Sequence, residues 1–241
     1  MKEFRGEKMQ PDDTEHEIPS SLTPQGTSYL ISNEVADDYI RNPNNPFLVS
    51  FPRTGSHWLR MMMEKYFERP TLRRIFFFPK NKNYLCLHVH DLDLEAHRSN
   101  VIYLHRDPID TIYSQLAYHK EAFNDVDRIS FWSELYGRHL RKWLLEETSA
   151  SYKTVLTYEN LINDLLGEFS KITNHYNEVL DGGRLLNIAE EITKRRVLEK
   201  TTHDVNVIQT NDDYAKNRQR FKEEFGDLVL SKVRLNYPKK E

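Results

Sequence analysis

Residues 52–58 read Pro-Arg-Thr-Gly-Ser-His-Trp, a basic turn around a single glycine. The turn follows an apolar run, Phe47 to Phe51, and from His57 onward the apolar residues take up helical spacing. A strand, turn and helix in this order aim backbone N–H groups, the positive end of a helix dipole and the Arg53 guanidinium at one spot. That geometry holds a phosphate or a sulfate. The nucleotide P-loop signature needs two glycines framing four residues, then Lys and Ser or Thr. One glycine and an arginine do not make that motif. A shortened phosphate loop is still physically sound, because Gly55 lets amides approach an anion closely. An ordinary connection with an exposed Arg53 is the alternative.

A second stretch, Arg106-Asp-Pro-Ile-Asp-Thr-Ile-Tyr-Ser114, places an arginine at the end of an apolar strand and a hydroxyl two turns into the next helix. A bidentate guanidinium and a hydroxyl suit a second phosphate, and an N-capped helix with a surface arginine is the alternative. His88 and His90 alternate on a strand, so both rings share one face. With Asp91 and Asp93 behind them they hint at a metal site. The common binuclear spacing needs Asp and His two and three residues after the second histidine, where Leu92 and Asp93 stand. The expectation is therefore a histidine base and no metal. His57, His97, His105 and His119 read as structural or exposed where catalysis is concerned, and Met61-Met62-Met63 as core and helix surface.

These groups need elements to carry them. Asn33–Arg41 reads as a short helix stopped by Asn-Pro-Asn-Asn-Pro. Strands are expected at 47–51, 84–90, 100–105 and 154–158. Helices are expected from 57 to near Pro70, from Asp107-Pro108 to about Tyr118, over 132–147 and over 161–179, and then at 187–199, 213–223 and 225–233. Strand-helix alternation with short connections implies an α/β fold with a parallel sheet flanked by helices. Ligands in such sheets sit at the carboxyl ends of strands. The polar clusters 52–57, 88–91, 106–107 and 158–159 all fall there.

Composition bounds the rest. The 241 residues suffice for one full domain, or two small ones. Residues 1–26 read as a loosely held arm, with Ile18 to Leu22 as its docking stretch, and 27–241 as the domain. A formal charge of −3 argues against a general nucleic-acid binder while leaving room for a local basic pocket. The single cysteine, Cys86, excludes an intramolecular disulfide framework and a Cys-based zinc cluster. The charged start lacks an apolar core behind it, and no apolar run nears ~18 residues. No membrane span and a cytoplasmic location are expected, and oligomeric state is unreadable.

Taken together and in this order, the two anion motifs resemble those of the PAPS-dependent sulfotransferase family (PAPS is 3′-phosphoadenosine 5′-phosphosulfate). The turn at 52–59 looks like that family's 5′-phosphosulfate loop, and Arg106 to Ser114 like its 3′-phosphate motif. Thr154-Val-Leu-Thr-Tyr-Glu-Asn-Leu resembles the later strand whose tyrosine approaches the nucleotide. The resemblance covers about residues 45–165. It implies a single-domain, P-loop NTPase-like sulfotransferase fold and transfer of a sulfuryl group to an acceptor hydroxyl or amine, leaving PAP, without a metal. It also implies roles. Arg53 stands where lysine is usual. The amides of Thr54, Gly55, Ser56 and His57, with the Ser56 hydroxyl, would hold the 5′-phosphosulfate. Trp58 would pack on adenine, Arg106 and Ser114 would bind the 3′-phosphate, and Tyr158 would sit near the base. The family's Lys-x-His segment corresponds to His88-Val89-His90, making His90 the general base with His88 in place of lysine. Arg218 and Arg220 stand in for a C-terminal cation, and Lys194-Arg195-Arg196 reads as a solvated helix face or a 3′-phosphate contact. A small-molecule or glycan acceptor would meet loops 68–83 and 119–131, where Phe76-Phe77-Phe78 faces it or forms a buried cluster. The rival functions are a nucleotide kinase-like phosphotransferase and a catalytically silent PAP- or nucleotide-binding module.

Overall fold

The structure, a computed structural model, describes residues 29–30, 32–202 and 212–237. The expected arm at 1–26 lies outside them. In chain order the sheet elements are β1 (Tyr29–Leu30), β2 (Pro46–Ser50), β3 (Thr71–Leu72), β4 (Arg74–Ile75), β5 (Cys86–Val89), β6 (Arg98–His105) and β7 (Ala150–Thr157). The helices are α1 (Asn33–Arg41), α2 (Ser56–Phe67), α3 (Pro108–His119), α4 (Val126–Leu140), α5 (Tyr158–Asn163), α6 (Leu165–His175), α7 (Gly182–Glu191), α8 (Lys194–Lys200) and α9 (Asp212–Asn236).

Five strands form one parallel sheet in the order β3-β5-β2-β6-β7, and β1 pairs with β4 in a separate antiparallel ribbon. β2 lies at the centre, with Leu48 opposite His88 on one side and Ile102 on the other. Side-chain alternation divides the core. Leu48, Ile102, Leu104 and Leu156 meet Leu59 and Met61 to Met63 of α2 and Phe169 of α6. Phe47, Val49, Val101 and Tyr103 face the other way, onto Tyr39 and Trp143. A third cluster joins Phe51 to α3, α4 and α9. Both faces are covered, which is why the strands read as nearly unbroken apolar runs. The three consecutive methionines are fully buried. Among the described residues no helix is long and apolar enough to cross a membrane.

Several helix boundaries differ from expectation for local reasons. α4 begins six residues before Trp132, because the Asp125 carboxylate accepts from Arg128 N at 3.0 Å and caps it. It runs into a π turn at Arg141–Leu145. The expected helix 161–179 is divided at Asp164, which leaves helical dihedrals and caps Gly167 N at 3.0 Å. Thr193 likewise separates α7 from α8. The two expected C-terminal segments are one helix, α9, which continues through Gly226. A Cβ there would stand 3.2 Å from Ile109 Cδ1 on α3.

One buried ionic cluster ties the 71–77 segment to α2. Glu64, with no exposure, accepts from Thr71 N, Thr71 Oγ1, Phe76 N and Phe77 N. Arg60, one turn earlier, donates to Thr71 Oγ1 at 3.1 Å and to the carbonyls of Leu72 and Arg74. Burial pushes the Glu64 carboxyl up, against the pull of these donors.

Candidate functional site

The carboxyl ends of β2, β5, β6 and β7 lead directly into residues 51–55, His90, Arg106 and Tyr158, so one sheet edge gathers all four expected clusters. Between β2 and α2 the chain reverses through two left-handed residues, Arg53 at φ 70° and Gly55 at φ 92°. Gly55 is required twice over: a Cβ there would lie 2.5 Å from Cε2 of Tyr158. Thr54 is fully buried and its hydroxyl donates to Phe51 O at 2.8 Å, which holds the turn shut from inside. No side chain caps α2. Its first-turn amides therefore keep the donor capacity and positive dipole that attract an anion.

The second motif folds against the first. Arg53 Nε donates to Ser114 Oγ at 3.2 Å, and its guanidinium lies 4.8 Å from the Tyr118 ring centre. Arg106 Nη1 donates to Arg53 O at 3.2 Å while its guanidinium lies 4.6 Å over the Tyr158 ring. The Tyr136 hydroxyl accepts from Arg106 N and donates to Arg106 O, fixing the end of β6. Asp107 caps α3 through Asp110 N at 3.0 Å, with Pro108 at the first helical position, as the sequence pattern indicates. Arg106 Nε is buried without a hydrogen-bond partner. A buried cationic N–H with no acceptor is the kind of donor a bound phosphate oxygen would satisfy. Asp110 lies 3.6 Å from Arg106 and receives two 2.7 Å bonds from Arg218 of α9. Arg218 is thus brought to the motif. Arg220 is not: it pairs with Glu224 on an exposed face of α9.

Trp58 donates from Nε1 to Ile192 O at 3.1 Å, and its ring meets Tyr158 edge-on at 6.4 Å. His57 packs edge-on to Phe76 at 5.9 Å. The two histidines on β5 and just beyond it differ in kind. His88 is 3% exposed and its Nε2 faces Ser50 Oγ at 3.0 Å. Burial holds its pKa well below the ordinary value, with His90 next in effect. His90 is half-buried, and its Nδ1 lies 2.7 Å from Ser50 O. A carbonyl only accepts, so Nδ1 carries the hydrogen and Nε2 keeps its lone pair. Burial lowers the His90 pKa to about 4, against the opposing effect of the hydrogen bond it donates to Ser50 O. His88 therefore stands behind the site, and His90 is the ring with a free basic nitrogen.

Residues the sequence reading passed over complete this arrangement. His139 of α4, fully buried, donates from Nε2 to His90 O at 2.8 Å and accepts at Nδ1 from the Tyr103 hydroxyl at 2.9 Å. Burial lowers its pKa to about 3. Beyond His90 the chain turns through Asp91 at φ 47°, and the Asp91 carboxylate grips Arg98 at 2.8 and 3.1 Å. Lys142, in the π turn, donates to the carbonyls of Leu94 and Ala96. The signal was present: Trp132, Tyr136, His139 and Trp143 recur at helical spacing, which puts a histidine on an apolar face. Residues 120–125, between α3 and α4, border a cleft of about 220 Å³ against α9, lined in part by Phe123, Asn217 and Phe221. Neither Arg53 nor His90 lines it.

No protein-family model and no curated protein matches the chain. Solved structures do. Retinol dehydratase in complex with retinol and PAP is 14% identical over 87% of this chain and 87% of that one, at a TM-score of 0.53. Retinol dehydratase with androsterone and inactive cofactor PAP gives 12% identity, 87% and 86% coverage, and a TM-score of 0.51. Mouse sulfotransferase SULT7A1 complexed with PAP aligns at 13% identity over 83% and 92%, with a TM-score of 0.44. This chain has the sulfotransferase fold. Within that fold, the strand-end positions described above hold Arg53, His90, Arg106 and Tyr158.

Proposed function

We propose that this sulfotransferase-fold chain, over residues 27–241, moves the sulfuryl group of PAPS to an acceptor hydroxyl or amine, with His90 as general base. The observation that carries the reading is the convergence of Arg53, Arg106 and Ser114 on the same sheet edge as a histidine whose Nδ1–H is already committed to Ser50 O. When bound, PAPS supplies an activated sulfuryl group on a phosphate leaving group. Arg106, with its unpartnered Nε, and Ser114 would take the 3′-phosphate. Amides 54–57 and the Ser56 hydroxyl would take the 5′ end, and Trp58 and Tyr158 the base. The last two are already neighbours, with ring centres 6.4 Å apart.

The chemistry asks for these residue types. Ser50 O orients the His90 ring so that Nε2 can accept the acceptor's proton as its oxygen or nitrogen becomes bonded to sulfur. The departing phosphate oxygen is a weak base and needs charge stabilisation more than a proton. Arg53, always charged, fits that need and cannot serve as an acid. In this reading His88 is a positioning residue, holding Ser50 from below. The test is His90→Ala. PAP should raise the melting temperature of the variant as it does the parent, while transfer from labelled PAPS falls by at least about 100-fold, the usual scale of a lost general base. Unimpaired transfer in the variant removes His90 from this role.

A further inference from the structure

Three cations close on the ring of Phe77: Lys65 Nζ and Lys200 Nζ each at 5.0 Å from its centre, and the Arg196 guanidinium at 5.8 Å. Two of them have carboxylates, Lys65 at Glu191 (2.8 Å) and Arg196 at Glu199 (3.1 Å). Lys200 has none among the described residues, although it is only 8% exposed. Arg196 Nε is also buried without an acceptor. Glu64, whose charge reaches Lys200, is fully occupied by the amides and hydroxyl of 71–77. Burial, then Arg196, depresses the Lys200 pKa.

Like charges gathered at a partly buried ring repel. Cation–π contact with one ring offsets only part of that. Lys200 Nζ, without a carboxylate, and Arg196, with its unpartnered Nε, are gathered at one ring, where an anion would offset their repulsion. We propose that these cations bound a recess that serves as an oxyanion subsite, taking a carboxylate, sulfate or phosphate group carried by the acceptor. The assignment to the acceptor rests on the sulfotransferase reading above. Phe76 and Phe77 are consecutive, and Phe76 packs on His57 at the start of α2, so one short segment borders both the recess and the transfer site. α8, which supplies Lys200 and Arg196, begins just after Ile192, the residue that holds Trp58.

Melting temperatures of the full chain and of Lys200→Met, in chloride and in inorganic sulfate at matched ionic strength, test the recess itself. In chloride the variant should be at least as stable as the parent, since it relieves the crowding of like charges at Phe77 and keeps its apolar stem. In sulfate the parent should gain a few degrees and the variant should not. Because sulfate also suits the Arg53–Arg106 cluster, the same pair is measured in an Arg106→Ala background, where the Lys200-dependent gain should persist. Equal gains in parent and variant overturn the subsite, and so does a variant less stable in both salts, the result of a purely structural lysine. Labelled-PAPS transfer to 4-hydroxybenzoate and to tyramine then assigns the source. A preference for the carboxylate of roughly tenfold in kcat/KM, lost in Lys200→Met, supports an acceptor-borne anion. A sulfate effect without that preference overturns the acceptor assignment and leaves a free-anion site. If PAP neither binds nor forms, the donor reading fails, while the sulfate series still decides the recess.

Discussion

At the scale of single residues, the function proposed turns on one nitrogen, His90 Nε2. Ser50 O fixes the tautomer from one side and His139 holds the backbone from the other. With a pKa lowered to about 4, His90 is already neutral across ordinary pH. Protonation on acidification would remove the proposed base. The prediction is that kcat/KM rises as pH climbs through about 4 and is flat from pH 5 to neutrality with respect to this group. His139→Leu should free the His90 carbonyl and lower kcat with little change in PAP affinity. His139→Gln, which can still donate to that carbonyl, should restore much of the loss. Equal kcat in both variants removes the positioning role. The positions of Arg53, Gly55, Arg106 and His90 just after strands, and of Ser114 two turns into α3, were legible in the sequence from short local patterns. His139, Tyr103 and Ser50 were not, because their contacts join positions 49, 36 and 40 residues apart that no local spacing links.

At the scale of elements, α2 is the spine. Its first turn carries amides that no side chain caps, its middle buries three methionines, and Glu64 near its end clamps the 71–77 segment. Glu64→Ala would strand four donors and the Arg60 guanidinium in a closed interior. Breaking such a buried network should cost about 3–5 kcal/mol in chemical denaturation. A loss below 1 kcal/mol would mean that the segment does not depend on the clamp. The strands and the helices opening at Asn33, Ser56 and Pro108 were readable from apolar runs, Asp-Pro capping and the Asn-Pro breakers. The breaks at Asp164 and Thr193 were not, since a capping side chain inside an apolar period looks like one more polar position. The short pairs β1–β4 and β3–β5 have too few residues to show a period, and tertiary contact defines them.

At the scale of the whole molecule, acid sensitivity should follow from its buried histidines. His88, His90, His105, His139 and His175 all have pKa values pushed down by burial. Each binds a proton more readily unfolded, at about 6.5, than folded. Their contribution is therefore complete above that value and is lost as pH falls toward 4, apart from an opposing effect of Glu64, whose raised pKa favours the folded state on acidification. Denaturation midpoints measured from pH 7 to pH 4.5 should fall steadily. A constant midpoint would mean that these rings are not held neutral.

The parallel sheet and its loaded edge were legible from strand-helix alternation alone, and the structural matches agree with that fold. The central claim is the two-ended anion grip across Arg53 and Arg106. Calorimetric titration of the full chain with PAP and with adenosine 5′-phosphate, which lacks the 3′-phosphate, tests it most directly. PAP should bind at least tenfold tighter, a difference of about 1.4 kcal/mol, and Arg106→Ala should remove most of that advantage. Equal affinity for the two nucleotides, or an advantage untouched by Arg106→Ala, would contradict it.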